Sequence, residues 1–299
     1  MTDPGPERDS DPGSAALRGS RGSRILGRSE VRGRGEGRRS VAIAVASTVV
    51  VFTVLGYFVV SSPGWPSIKA GFFNGEVFWS SLPGILEHFV MNVFIFCVAE
   101  VMVLVLAMVI AVLRSLPGPV FFPIRLMAIF YTDLFRGIPT ILVILILGLG
   151  VPALELQGVP TTDVFWGIVA LTLVYSAYVA EVYRAGIESV HPSQVAAARS
   201  LGLSRWQSLR HVVLPQAVRR VVPPLLNDFI GLQKDSALVY FLGVVEGLNY
   251  AYIEAQAEFN WTPLVALALL FLVITVPMTR FVDWLLARER RRREAGAAL

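Results

Sequence analysis

Lysine is nearly missing from this sequence: Lys69 and Lys234 are the only two in 299 residues. A phosphate-cradling P-loop needs Gly, four residues, Gly-Lys and then Ser or Thr. Neither lysine sits in that context, so the chain does not hold ATP in that manner. Cysteine occurs once, as Cys97 inside an apolar run, which excludes an intramolecular disulfide and a cysteine metal site. The three histidines, His88, His191 and His211, lack metal-ligand spacing and read as interfacial or solvated residues. No nucleophile, base and metal set of an enzyme site is clustered anywhere. Charge is scarce too, at 16% of residues, where a soluble domain carries about a quarter.

Apolar residues fill the space that charge leaves. They make up 55% of the chain, and the mean hydropathy is +0.62. Runs of about 18 or more apolar residues read as membrane helices. Six such spans are expected, near 41–60, 89–113, 124–150, 164–183, 221–245 and 264–286. The third is interrupted by Asp133 and Arg136, and Gly137 with Pro139 should disturb its helix. The segment 65–88 mixes aromatics with Gly75 and Pro83 and reads as interfacial.

Residues 1–40 are rich in Gly, Ser, Pro and Arg and read as a disordered cytoplasmic tail. A cleaved signal peptide is the rival reading. A retained helix over 41–60 is preferred, because the tail is long and no clean cleavage site follows. Residues 288–299 form a second basic tail. The arginine clusters flank apolar spans, which fits membrane orientation rather than nucleic-acid binding. With six spans, Arg114, the Arg184–Arg220 stretch and both tails share one side. The opposite loops, 61–88, 151–163 and 246–262, carry only Lys69 against seven acidic residues, Glu76, Glu87, Glu155, Asp163, Glu246, Glu254 and Glu258. By the positive-inside rule both termini are cytoplasmic.

The most informative cytoplasmic segment is 190–215. Ser193 is a plausible N-cap, its hydroxyl accepting from an orphan amide. The alanine-rich stretch from Gln194 to Leu201 favours helix, and Gly202 stands where a C-terminal glycine adopts the left-handed conformation. Ser204 with Gln207 has capping-box spacing. Trp206, Leu209 and Val213 form a helical stripe, and Pro215 ends or kinks it. Two short helices thus meet at a glycine. Periodicity alone leaves two readings equally open: an amphipathic pair lying on lipid, or a docking element for a cytoplasmic partner.

The run Val195-Ala196-Ala197-Ala198-Arg199-Ser200-Leu201-Gly202, followed by Val212-Val213-Leu214-Pro215, resembles the coupling loop of ABC importer permeases. The flanks sharpen the likeness to the polar amino-acid branch. They are Ala177-Tyr178-Val179-Ala180-Glu181-Val182-Tyr183-Arg184-Ala185-Gly186-Ile187, Pro223-Pro224-Leu225-Leu226-Asn227, Lys234-Asp235-Ser236-Ala237-Leu238, and upstream Phe135-Arg136-Gly137-Ile138-Pro139. Three positions depart from the pattern: Ala196 replaces the glutamate of the Glu-Ala-Ala triplet, Ser193 a glycine, and Glu246-Gly247 a Glu-Leu pair. The lost glutamate removes a polar contact to an ATPase or a capping partner for Ser193.

The resemblance implies an all-α membrane fold of five core helices over about 88–287, a type I importer core, with the 41–60 helix added before it. It implies a multi-pass protein of the bacterial plasma membrane, paired as a homo- or heterodimer with a second permease. A cytoplasmic ATPase, which carries ATP and magnesium, would dock on loop 186–215 through Ser193, Gln194, Ala196, Ala197, Ala198, Gly202, Leu214 and Pro215. An extracytoplasmic solute-binding protein would deliver a polar amino acid. Candidates for the translocation path are Glu100, Arg136, Tyr178, Glu181, Asn227, Asp228, Lys234 and Asp235. Charges inside a membrane are costly, so these residues either tie helices together or contact substrate. The rival from another class is a secondary transporter or channel that uses the same charges without an ATPase.

Overall fold

The computed structural model describes residues 34–297, and every regular element among them is helical. The expected disordered tail therefore falls mostly outside the described residues. Its last part is corrected: helix α1 begins at Arg34 and runs to Val60. Glu36, Arg38 and Arg39 favour helix there, while Gly35 and Gly37 each weaken it by about 1 kcal/mol. The chain divides into two units, residues 1–66 and 67–299. In the first unit, α1 is apolar and exposed along the length whose side chains are described.

The second unit is built on a long helix. A short helix α2 (Trp65–Phe72) precedes α3 (Gly75–Arg114). Asn74 caps α3, its Oδ1 accepting from the amides of Glu76 at 3.0 Å and Val77 at 3.3 Å. The helix that holds the span expected from residue 89 therefore starts at Gly75. Pro83 lies on an exposed face, where its missing amide donor is tolerated. At 40 residues, α3 is about 60 Å long, twice the hydrocarbon thickness of a bilayer.

Helix α4 (Phe122–Gly137) and α5 (Thr140–Leu145) meet at a bend of 106°. Proline disfavours the helical conformation in the residue before it, and Ile138 is extended, at φ −100° and ψ 133°. The expected third span is thus a broken pair, continued by a π segment, Ile146–Gly150. Helix α6 (Asp163–Glu188) is the most buried of the candidate spans. Then come α7 (Pro192–Ser200), α8 (Arg205–Ser208), a π turn Leu209–Val213 and α9 (Leu214–Asp235). The expected fifth span is also broken: a 3-10 segment, Ser236–Leu242, leads to α10 (Gly247–Ala257) across a bend of 56°. Helix α11 (Thr262–Ala297) follows, so residues 288–297 of the expected basic tail continue a helix. Four helices are long and apolar enough to cross a membrane singly, and six crossings result if each bent pair counts as one.

The core forms where α3 packs along α6. Ile95, Ala99, Val103 and Ala107 recur every fourth residue on α3 and are buried against Ala170, Leu171 and Val174 of α6. Small residues let the two backbones approach closely, which drives helix packing in lipid. A second cluster joins Ile85 and Phe89 of α3 to Ala251 of α10 and to Ala266 and Leu267 of α11.

Candidate functional site

The loop between α6 and α9 is fixed by its own caps. Helix α7 ends in a Schellman motif: the Leu203 amide donates to the Ala198 carbonyl at 3.2 Å, and the Gly202 amide to the Arg199 carbonyl at 3.0 Å. Gly202 carries φ +84°, where glycine has no Cβ penalty. The capping box is reciprocal: the Ser204 amide donates to Gln207 Oε1 at 2.8 Å, and the Gln207 amide to Ser204 Oγ at 3.2 Å. One expected detail is corrected. The α7 cap is His191, whose Nδ1 accepts from the Ser193 amide at 3.2 Å, while Ser193 lies inside the first turn. Pro192 takes the first helical position, where its fixed φ suits the helix. That moves the cap one residue upstream of the proline.

Pro215 does not end the helix. The Leu214 amide reaches back to the Leu209 carbonyl across the π turn, and Pro215 follows within the first turn of α9, where a missing N–H is tolerated. The loop presents apolar side chains outward: Leu201 is 83% exposed and Trp206 66%. Gln194, Ala196, Ala197 and Leu214 are exposed, and Ala198 is buried.

The base of this loop is clasped. A Cβ on Gly186 of α6 would stand 2.0 Å from Val221 Cγ2 and 3.4 Å from the Ala217 carbonyl oxygen, both on α9. Arg220 of α9 donates to the Ser189 carbonyl at the end of α6.

Beside the clasp lies a cleft of about 510 Å³, lined by Arg136, Tyr178, Glu181, Val182, Ala185, Gly186, Ser189, Arg220, Pro224 and Asp228. Four expected path residues, Arg136, Tyr178, Glu181 and Asp228, therefore meet at one place. Glu181 is the hub of the charges. It pairs with Arg114 of α3, with Arg184 of its own helix at 2.7 Å, and with Arg136 of α4 at 3.8 Å. The Arg136 guanidinium also lies 5.7 Å from the centre of the Tyr178 ring, a cation–π distance. Asp228 contributes a buried Oδ2 with no hydrogen-bond partner among the described residues.

The other four separate. Asp235 accepts from the Tyr175 hydroxyl at 2.9 Å, which ties α9 to α6. Asn227 and Lys234 are exposed on α9. Glu100 is partly buried on α3 and does not line the cleft. The polar residues of α9 are thus split: Asp228 and Asp235 meet α6 side chains, whereas Asn227 and Lys234 are exposed.

Sequence reasoning overlooked a second polar centre. Glu246 is fully buried, caps α10 through the amides of Leu248 (2.8 Å) and Asn249 (3.0 Å), and accepts from Asn92 of α3 at 2.6 Å. Asn92 in turn accepts from the Gly247 amide at 2.9 Å. The available signal was Asn92, an amide inside a long apolar run.

Comparison with known proteins gives a consistent picture. The family model for binding-protein-dependent transport system inner membrane components matches residues 40–291. The chain is 37% identical to a probable glutamine ABC transporter permease of Bacillus subtilis (strain 168), over 60% of this chain and 82% of that one. It is 34% identical to an arginine transport system permease of the same organism, over 66% and 89%. It is 33% identical to a glutamate/aspartate import permease of Escherichia coli O157:H7, over 71% and 98%. Among solved structures, a chain of an amino acid ABC transporter crystallised with histidines matches with a TM-score of 0.63 at 29% identity, covering 69% of this chain and 94% of that one.

Proposed function

The chain belongs to the family of binding-protein-dependent transport system inner membrane components, and from that premise we propose that it is the permease subunit of an ATP-driven importer for a polar amino acid. Members of this family are membrane subunits of ABC transporters, and this chain is a multi-pass protein of the bacterial plasma membrane. The finer reading names its partners. The chain lacks a P-loop, so a separate cytoplasmic ATPase binds and hydrolyses ATP with magnesium. An extracytoplasmic solute-binding protein delivers the substrate. A second permease, identical or related, completes the path. Asn227 and Lys234, exposed on α9, support that pairing, because polar groups in a span are rarely left facing lipid.

The observation that carries the reading is the loop around Gly202: two capped short helices, clasped at the base, with Leu201 and Trp206 turned outward. Such a rigid apolar projection suits docking on another protein. The cleft supports the substrate class. An amino acid brings a carboxylate and an ammonium, and Arg136 offers donors and Asp228 an acceptor on the cleft wall. The relatives named for glutamine, arginine and glutamate/aspartate support a polar side chain.

Gly202→Val tests the docking role, since a β-branched residue is strongly disfavoured at φ +84°. The variant should insert and fold in the reconstituted complex, yet lose substrate-stimulated ATP hydrolysis. Stimulation at the wild-type level would defeat the docking assignment.

A further inference from the structure

Phe259 follows the last turn of α10 at φ +47°. Its amide donates to the Gln256 carbonyl at 3.3 Å, and the Asn260 amide to the Ala255 carbonyl at 3.0 Å. This is a Schellman ending, and Phe259 occupies the position that glycine normally takes. A bulky residue there carries backbone strain. No packing among the described residues offsets that strain, because the Phe259 side chain is 95% exposed. The strain and the exposure together point outside the chain.

The segment is held firmly. The Trp261 amide donates to the Gly71 carbonyl at 2.7 Å, and Asn260 Nδ2 to the Ala70 carbonyl at 2.9 Å. The Asn74 amide donates to Thr262 Oγ1 at 3.1 Å. An aromatic ring displayed on a braced loop loses little freedom when it is captured, which favours binding. A cleft of about 260 Å³ opens beside it, lined by Ala255, Gln256, Phe259 and Trp261. The loop adjoins the start of α11, about 40 Å of helix away from that helix's arginine cluster. On the positive-inside argument it faces away from the cytoplasm.

We propose that Phe259, with Trp261 and the cleft between them, is a docking key for the extracytoplasmic solute-binding protein. The inference rests on the importer reading above, and the family's dependence on a binding protein supplies the occupant. Charge favours a protein over a lipid surface. Glu254 and Glu258 lie on the stretch that leads into Phe259, whereas segments that lie on lipid carry basic residues on the polar face. The partner therefore offers an apolar socket with a basic rim.

The test uses the complete complex in liposomes, with its cognate solute-binding protein, and reads the concentration that half-stimulates ATP hydrolysis. Phe259→Ala should raise that concentration about tenfold, the loss of one aromatic anchor. Phe259→Gly should raise it equally while increasing thermal stability, because it relieves the backbone. Phe259→Trp should stay within about twofold of wild type. Glu258→Lys should weaken stimulation more at low salt than at high salt. Unchanged half-stimulation in both Phe259→Ala and Phe259→Gly, with wild type responding normally, overturns this inference alone. So does a lowered melting temperature in anionic liposomes without any change in half-stimulation, which would make Phe259 a lipid anchor. A wild-type complex that no binding protein stimulates overturns the importer reading, and this inference with it.

Discussion

At the scale of the residue, Glu181 pairs with three arginines, more than any other acid among the described residues. One carboxylate answers arginines from α3, α4 and α6, and its partner Arg114 is largely buried. Glu181→Gln would leave Arg114 without its counter-charge, at a cost of about 3 kcal/mol. Thermal unfolding in detergent should show a clear fall, smaller for Glu181→Asp; an unchanged midpoint would mean that the arginines find other partners. Asn92 plays the corresponding part for Glu246. Asn92→Ala removes a donor from the buried carboxylate and an acceptor from the Gly247 amide, costing about 1–3 kcal/mol. The same measurement checks it. The two sites differ in how far the sequence reveals them. Ser204 with Gln207, and Gly202 four residues beyond Ala198, are local patterns that the chain spells out in order. Asn92 and Glu246 are 154 residues apart, and only the folded helix bundle brings them together.

At the scale of the element, the breaks were legible and their angles were not. Gly137 and Pro139 announce an interruption, because proline removes a donor and dictates the conformation before it. A turn of 106° depends on where α4 and α5 find packing, and α5 finds it against α6. The start of α7 is ambiguous in the sequence for a similar reason: Ser and His both accept hydrogen bonds, and Pro192 decides which of them stands outside the helix. The clasp between α6 and α9 was hidden entirely, since a glycine signals close approach only when its neighbour is known. Gly186→Val should force α6 away from Val221 and Ala217 and destabilise the protein by about 1–3 kcal/mol. A Gly186→Val, Val221→Ala double variant should recover part of that loss, measured as a coupling energy. Simple additivity would show that the two helices are not in contact there.

At the scale of the whole molecule, the arginine distribution expects six crossings, and the helices permit four to six. Reporter fusions at positions 70, 118, 157, 205 and 253 should alternate, with 118 and 205 inside the cell. If 157 reports inside, the α4–α5 pair enters and leaves the membrane on one face. The stacked features near α7 and α8 have a mechanical consequence. Both short helices are capped, the turn between them is closed by two hydrogen bonds, and the ends of α6 and α9 are locked side by side. Such an assembly has almost no slack. A push on Trp206 would then not be absorbed by bending at the loop. It would pass to α6 and α9 as one body and shift them together against α4, whose Arg136 lines the same cleft.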